Sequence, residues 1–519
     1  MKRVGNLYKD ISDFYNIVYM TDKVCRIVRN KKKVDSYESF KSEHIYNIYS
    51  RLKKKDFSFS KYNIFMINDP KCRIVMAQDI EDKIINHLVS CYALKKVFDS
   101  KYTNILCATR KGYGTLYGVK LLKRYLNEMK VKYDNFYVLK LDIKKYFYSV
   151  NHEILKSILR KKLKDKDVLK LIDSIIDSTN DSYINKKIIE LKNSRISYLK
   201  NSNLSNIDKL IKEVESIPLY KTGYGIALGD ETSQCFGLIY LYELAHYIRE
   251  ELKLHRACIY MDDIIIIHKD KDYLKYCLKK IINKLKEYYL DINDKKTRID
   301  SIKNGVDFLG YRFFINRGKV ILRLRNRTKK KYKEKIKDIG NLYRNNLISN
   351  NQFIIGLNSY NGILKWGNCK RLIRERDVIY ILENFYKYKI NYKDYICIFK
   401  IGVFYEVFDI DALIMNKLFN YKIKTLSNTF KVGFPIKNID KVNYCLVDNN
   451  INYIIIDNDK IVDKYMDNNN RYNDYSFDIS LLNYQCIKVD RIIKFLESNK
   501  LNLNFNDKLL KIDKLLKVS

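Results

Sequence analysis

Proline and tryptophan are nearly missing from this 519-residue chain, with three of the former and one of the latter. With only 17 glycines besides, loops are sparsely punctuated and element boundaries read softly. Histidine is also scarce, at six, and no HExxH or similar spacing occurs. The eleven cysteines are odd in number and stand singly, without a CxxC pair. Together these absences argue against a zinc site and a disulfide framework, and for a reducing compartment. No apolar run approaches the length of a membrane span, and the opening MKRVGNLYKDISDFY has no apolar signal core. A cytoplasmic protein with no membrane partner is therefore expected. No repeat of solenoid period appears.

What is abundant is positive charge. Lys and Arg number 99 against 60 Asp and Glu, a net +39 with a pI near 9.5. Such an excess suits a polyanionic partner, most simply nucleic acid. The wealth of Lys, Asn, Ile and Tyr also fits codons from an AT-rich genome, so charge alone does not decide. The length allows three or four domains. Residues 1 to 60 read as basic helices, 62 to 76 as two strands around Asp69-Pro70, and 79 to 100 as helix. A strand runs into a helix over 136 to 147, and a charged, mostly helical stretch fills 153 to 215. GYGIALGDETSQCFGLIYLYELAHYI, 223 to 248, reads as a glycine-spaced loop feeding an apolar helix. A strand pair is expected around FLGYRFFINRGKVIL, basic helices over 326 to 388, and short strands after about 390.

Within this pattern RACIYMDDIIIIHKD places Asp262 and Asp263 between two apolar runs. An unpaired buried carboxylate is costly and tends to become neutral. Asp142 ends a similar strand in VLKLDIKKYF. If these elements neighbour one another in an antiparallel sheet, three carboxylates converge. They stay ionised only beside divalent cations, for which hard Mg²⁺ is the natural choice with Mn²⁺ as a substitute. Two such ions roughly 3.5–4 Å apart would activate a 3′-hydroxyl and stabilise departing pyrophosphate.

IYMDD with its apolar flanks resembles the catalytic motif of reverse transcriptases, and the other blocks of that family follow in its order. NDPKCRIVMAQDIEDKIINHLV and ATRKGYGTLYGV resemble the two fingers blocks, and LDIKKYFYSVNHEIL the first palm aspartate block. GIALGDETSQ resembles the template-side loop, INDKKTRID and FLGYRFF the blocks after the catalytic hairpin, and SYNGILKWGNCKRLIR the thumb. The resemblance implies Asp142, Asp262 and Asp263 as catalytic metal ligands, with the Ile143 carbonyl assisting. It implies Arg73, Arg110, Phe147, Gln234 and Lys296 at the nucleotide, Phe147 as the aromatic gate against a ribose 2′-hydroxyl and Lys296 near the pyrophosphate. Tyr260 and Gly310 would meet nucleic acid. The loop departs from the group II intron pattern at Ala227, Leu228 and Ser233-Gln234. It is closer to diversity-generating retroelement and defence-associated enzymes.

A second resemblance lies in YICIFKIGVFYEVFDIDALIMNKL, 395 to 418, and VGFPIKNIDKVNYCLVDNNINYIIID. These are similar to the mismatch-recognition domain I of MutS, whose Phe and Glu of an F-x-E motif touch a mispaired base. Phe404 and Glu406 take those places. No GxxxxGK(S/T) occurs, so the MutS ATPase is absent. The fold expected is α+β: a right-hand polymerase plus a small mixed α/β module. Fingers and palm would span 1–325, a helical thumb 326–388, the MutS-like module 389–475 and a helical tail 476–519. The function implied is RNA-directed DNA synthesis in a bacterial retroelement or antiviral defence system. Its partners would be an RNA template, a DNA primer or product, dNTPs, and a dedicated non-coding RNA or accessory protein. Two alternatives stay open: a template-independent or protein-primed DNA polymerase of phage defence, and a catalytically inactive nucleic-acid-binding scaffold.

Overall fold

In the computed structural model, which describes residues 3–28, 30–68, 71–202, 207–426, 429–457 and 460–476, the chain divides into two compact units, 1–322 and 323–519. The class is α+β. The first unit is organised around a four-stranded antiparallel sheet. Strands β3 (Tyr137–Asp142), β4 (Ala257–Tyr260), β5 (Asp263–His268) and β6 (Arg298–Ser301) lie in the order β4-β5-β3-β6. The four isoleucines of β5 are all buried, because both faces of the sheet are covered. Ile264 and Ile266 join Leu139 and Leu141 in the main core. The helix Glu231–His246 is apolar nearly all round and correspondingly buried, as such a helix must be.

Strands β1 (Asn63–Ile67) and β2 (Arg73–Ala77) pair antiparallel as a separate ribbon; the turn at Asp69-Pro70 lies outside the described residues. The charged stretch after residue 152 forms four main helices and is more than a spacer. Ile184 and Ile188 are buried with Ile64, Ile74 and Met76 of the ribbon and with Tyr62 just before it. The strand pair expected around residue 310 is a three-stranded meander, β7 (Val306–Phe308), β8 (Tyr311–Asn316) and β9 (Lys319–Leu324).

The second unit begins with the helices Asn326–Arg344, Asn350–Asn358 and Lys370–Asn391. Arg344 grips Glu383 through two hydrogen bonds of 2.8 and 2.7 Å, the fork geometry that suits guanidinium and carboxylate. A six-stranded sheet follows, ordered β12-β13-β11-β10-β14-β15. Its strands are β10 (Ile396–Ile401), β11 (Phe404–Phe408), β12 (Lys424–Leu426), β13 (Thr429–Pro435), β14 (Tyr453–Asp457) and β15 (Lys460–Tyr465). Only β10–β14 is parallel. The helical tail expected for 476–519 lies, from residue 477 on, outside the described residues.

One buried charge organises this unit. Asp411, fully buried, receives Lys389 Nζ at 2.8 Å, the Tyr472 hydroxyl at 2.6 Å and the Cys397 amide at 2.9 Å. Burial pushes its carboxyl pKa up, while the Lys389 ammonium beside it holds the charge in place. Removing one member of such a group strands the others. Asp411→Ala is therefore expected to lose about 3–5 kcal/mol of stability in this unit, read by chemical denaturation; a loss under about 1 kcal/mol would refute the assignment.

Candidate active site

The register of the central sheet assembles the carboxylates. Asp142, the last residue of β3, is the cross-strand partner of Asp263, the first residue of β5. Tyr260, ending β4, pairs with Asp263 from the other side. The tight connection between β4 and β5 holds Met261 at φ 55° and places Asp262 at its tip. The Ile143 amide donates to the Asp262 carbonyl at 2.9 Å, which ties the β3 end to this turn. Burial, then Asp263, then Asp142 push the Asp262 pKa up to about 6. Negative charge is thus concentrated and under-compensated at one point.

Two lysines temper it. Lys296 Nζ lies 2.8 Å from both carboxylate oxygens of Asp142, and Lys140 Nζ is 3.5 Å from Asp263 Oδ1. Lys296, expected at a departing pyrophosphate, here neutralises the first carboxylate. Among the described residues no three His, Cys, Asp or Glu side chains stand ready as a metal site. The donor chemistry nevertheless suits a divalent cation: all-oxygen carboxylates, with mutual repulsion that such a cation would relieve.

Comparison with known proteins now decides the family. The family model described as "Reverse transcriptase (RNA-dependent DNA polymerase)" matches residues 52–313, and that described as "MutS domain I" matches 381–471. The chain belongs to the reverse transcriptase family. No curated protein matches it. As a member it is an RNA-directed DNA polymerase, a nucleotidyltransferase acting on a nucleic-acid template and dNTPs. Reverse transcriptases generally depend on divalent metal ions. Among the described residues no helix is long and apolar enough to cross a membrane.

The remaining site candidates of this reverse transcriptase fall into different settings. Phe147 is half-buried, its ring against Tyr146 at 5.6 Å. Its carbonyl accepts from the Ile226 amide at 2.8 Å, so the loop before Gly229 fixes its backbone. Gln234 is exposed while Thr232, Ser233, Cys235 and Phe236 around it are buried. Arg73 is exposed on β2. Arg110 is more constrained: one terminal nitrogen donates to the Thr103 and Leu106 carbonyls at 3.0 and 3.1 Å. The Tyr113 ring lies 3.8 Å from its guanidinium carbon. The Tyr260 hydroxyl is 3.3 Å from Thr115 Oγ1. Gly310, at φ 88°, occupies the open β7–β8 turn, a backbone conformation that favours glycine. Gly229 also has a reason: a Cβ there would meet the Met76 carbonyl oxygen at 2.7 Å, and Leu228 accepts from the Met76 amide at 2.9 Å. The loop around Gly229 is thereby stitched to β2.

In the MutS-type region, Phe404 is 44% exposed beside Val403 at 73% and Ile401 at 41%, an apolar cluster at the β10–β11 turn. Glu406 is held by Lys431 Nζ at 2.5 Å from the neighbouring strand, so a base would compete with that lysine.

Sequence reading missed Asp230, a carboxylate in the DET run that gives no local signal of burial. It is 4% exposed, precedes the helix Glu231–His246 without a capping bond, and accepts from the Tyr62 hydroxyl at 3.3 Å. Burial raises its pKa to about 7. A carboxyl whose folded pKa is raised costs stability progressively as pH rises from about 4 to 7, and fully above that. Asp230→Asn removes this cost: relative to the parent it should gain about 2–4 kcal/mol between pH 5 and pH 8. Thermal melts at both pH values test this, and a pH-independent difference between the two proteins would refute it.

Proposed function

We propose that this reverse transcriptase extends a DNA primer by two-metal nucleotidyl transfer. The observation that carries the proposal is the pairing of Asp142 with Asp263 below the Asp262 turn. Asp142, Asp262 and Asp263, with the Ile143 carbonyl, would hold Mg²⁺ or Mn²⁺, which when bound supplies activation of the 3′-hydroxyl and charge stabilisation at the leaving phosphate. The chain's own residues do the rest. Arg73 and the free edge of Arg110 receive triphosphate oxygens, Phe147 closes the space a 2′-hydroxyl would need, and Gln234 faces the nucleotide. Lys296, held by Asp142 at 2.8 Å, would be released to meet pyrophosphate charge once a cation takes its place on that carboxylate. Tyr260 and Gly310 border the primer strand.

In this reading residues 1–325 are fingers and palm, 326–388 the thumb, 389–475 a duplex-binding module and 476–519 a tail. The apolar cluster Ile401, Val403 and Phe404 supports insertion beside a base step, a known way to bend a duplex; Glu406 accepts from the base after parting from Lys431. The template-side loop, with Leu228 in place of the group II glutamine, favours a retroelement of the diversity-generating or defence-associated kind. Such a system would supply a dedicated RNA or accessory protein in the cytoplasm. The test is incorporation of labelled dNTPs by protein freed of nucleic acid, with and without a primed RNA template. Template-dependent product resistant to protease is expected; template-free product linked to protein would refute the proposal.

A further inference from the structure

A cavity of about 670 Å³ opens beside the carboxylates without using them. Its wall starts two residues past Asp142, at Lys144 and Lys145, and is continued by Lys221 and Lys286. Tyr148, Tyr224 and Tyr289 supply its aromatic surface. None of the residues given above to metal, nucleotide or primer lines it. Among the described residues the four lysines form no ion pair, although Lys284, two residues before Lys286, is paired with Glu287. One acidic side chain, Asp291, faces four lysines. Tyr289 is 63% exposed and meets Tyr224 edge to face at 6.3 Å, so a ring face is available at the rim.

Unpaired lysines gathered from three separate chain segments suit successive phosphates better than a single triphosphate. An exposed tyrosine face suits a base that is out of its stack, which a duplex does not offer. We propose that this cavity is an accessory site for a single-stranded polynucleotide, with phosphates on Lys144, Lys145, Lys221 and Lys286 and a base on Tyr289. The wall and the polymerisation site share their loops: the Lys144 amide donates to the Asp291 carbonyl at 2.8 Å, and the Asn293 amide to the Asp142 carbonyl at 2.7 Å. The ligand class rests on the polymerase reading; the site itself does not.

The test uses the full chain with Lys221→Ala/Lys286→Ala and with Tyr289→Ala, none of them in the catalytic machinery. Anisotropy of a labelled oligouridylate, an oligothymidylate and ATP is followed over a salt series in chelator, and extension of a short primer–template is measured alongside. Removing two phosphate contacts should lower the log–log salt slope by about 1.4. Tyr289→Ala should weaken oligonucleotide binding by roughly 5- to 150-fold with the slope kept. Extension of the short substrate and the melting temperature should match the parent. A larger loss for oligouridylate assigns RNA, and for oligothymidylate the DNA strand. Unchanged oligonucleotide binding in both variants would overturn the site, as would loss confined to ATP. Failure of short-substrate extension by the parent would instead strike at the polymerase reading and leave the binding result standing.

Discussion

Asp262→Asn should abolish DNA synthesis while leaving the fold as stable as the parent or more so. The turn that carries residue 262 is tied by the Ile143 amide to the Asp262 carbonyl, a bond that does not involve the side chain. Replacing the carboxylate also removes its repulsion with Asp263 and Asp142, which helps to push its pKa up to about 6. Stability therefore has no reason to fall, whereas the proposed cation site would lose a ligand. A drop in kcat/KM of at least about 10³-fold, on the order of 4 kcal/mol of transition-state stabilisation, is expected. The parent adds a second signature. As pH falls through about 6, Asp262 takes up a proton and its charge is lost, so activity should decline over that range. Raising divalent cation should shift the midpoint lower, because proton and metal compete for one carboxylate. Activity retained within tenfold in the variant would exclude Asp262 from the chemistry.

Phe147→Ala should open the enzyme to ribonucleotides. The ring is half-buried against Tyr146, and the Phe147 backbone is set by the Ile226 amide, so truncation vacates a defined space and does not free a loop. A gate of this kind works by clash with a 2′-hydroxyl, and discrimination is a ratio of kcat/KM values. The deoxyribonucleotide preference should fall by about 10²-fold, roughly 3 kcal/mol, with dNTP incorporation reduced far less. An ordinary core phenylalanine would behave otherwise: truncation would lower both substrates together and depress the melting temperature. Paired single-nucleotide incorporation and a thermal melt separate the two.

Much of this protein is legible in its sequence. The alternation of apolar runs with short punctuation marks β3, β4 and β5, and the aspartates sit at strand ends because the local sequence puts them there. The blocks between about residues 60 and 375, and those from 395 on, carry the two family likenesses in order along the chain, and the family models match 52–313 and 381–471. Such properties depend on residues close in sequence, where periodicity and turn chemistry act. Tertiary structure decided which partners those residues meet. Lys296 reaches Asp142 across 154 positions, Tyr62 reaches Asp230 across 168, and Lys431 covers Glu406 from the next strand. Arg110, in sequence a free phosphate ligand, is partly spent on carbonyls and a tyrosine ring. The four lysines of the accessory cavity belong to segments that nothing in the sequence brings together. Local pattern sets where charge and backbone direction change, but the partner of a charge is chosen by packing, since only the closed core determines which distant side chains share one desolvated space.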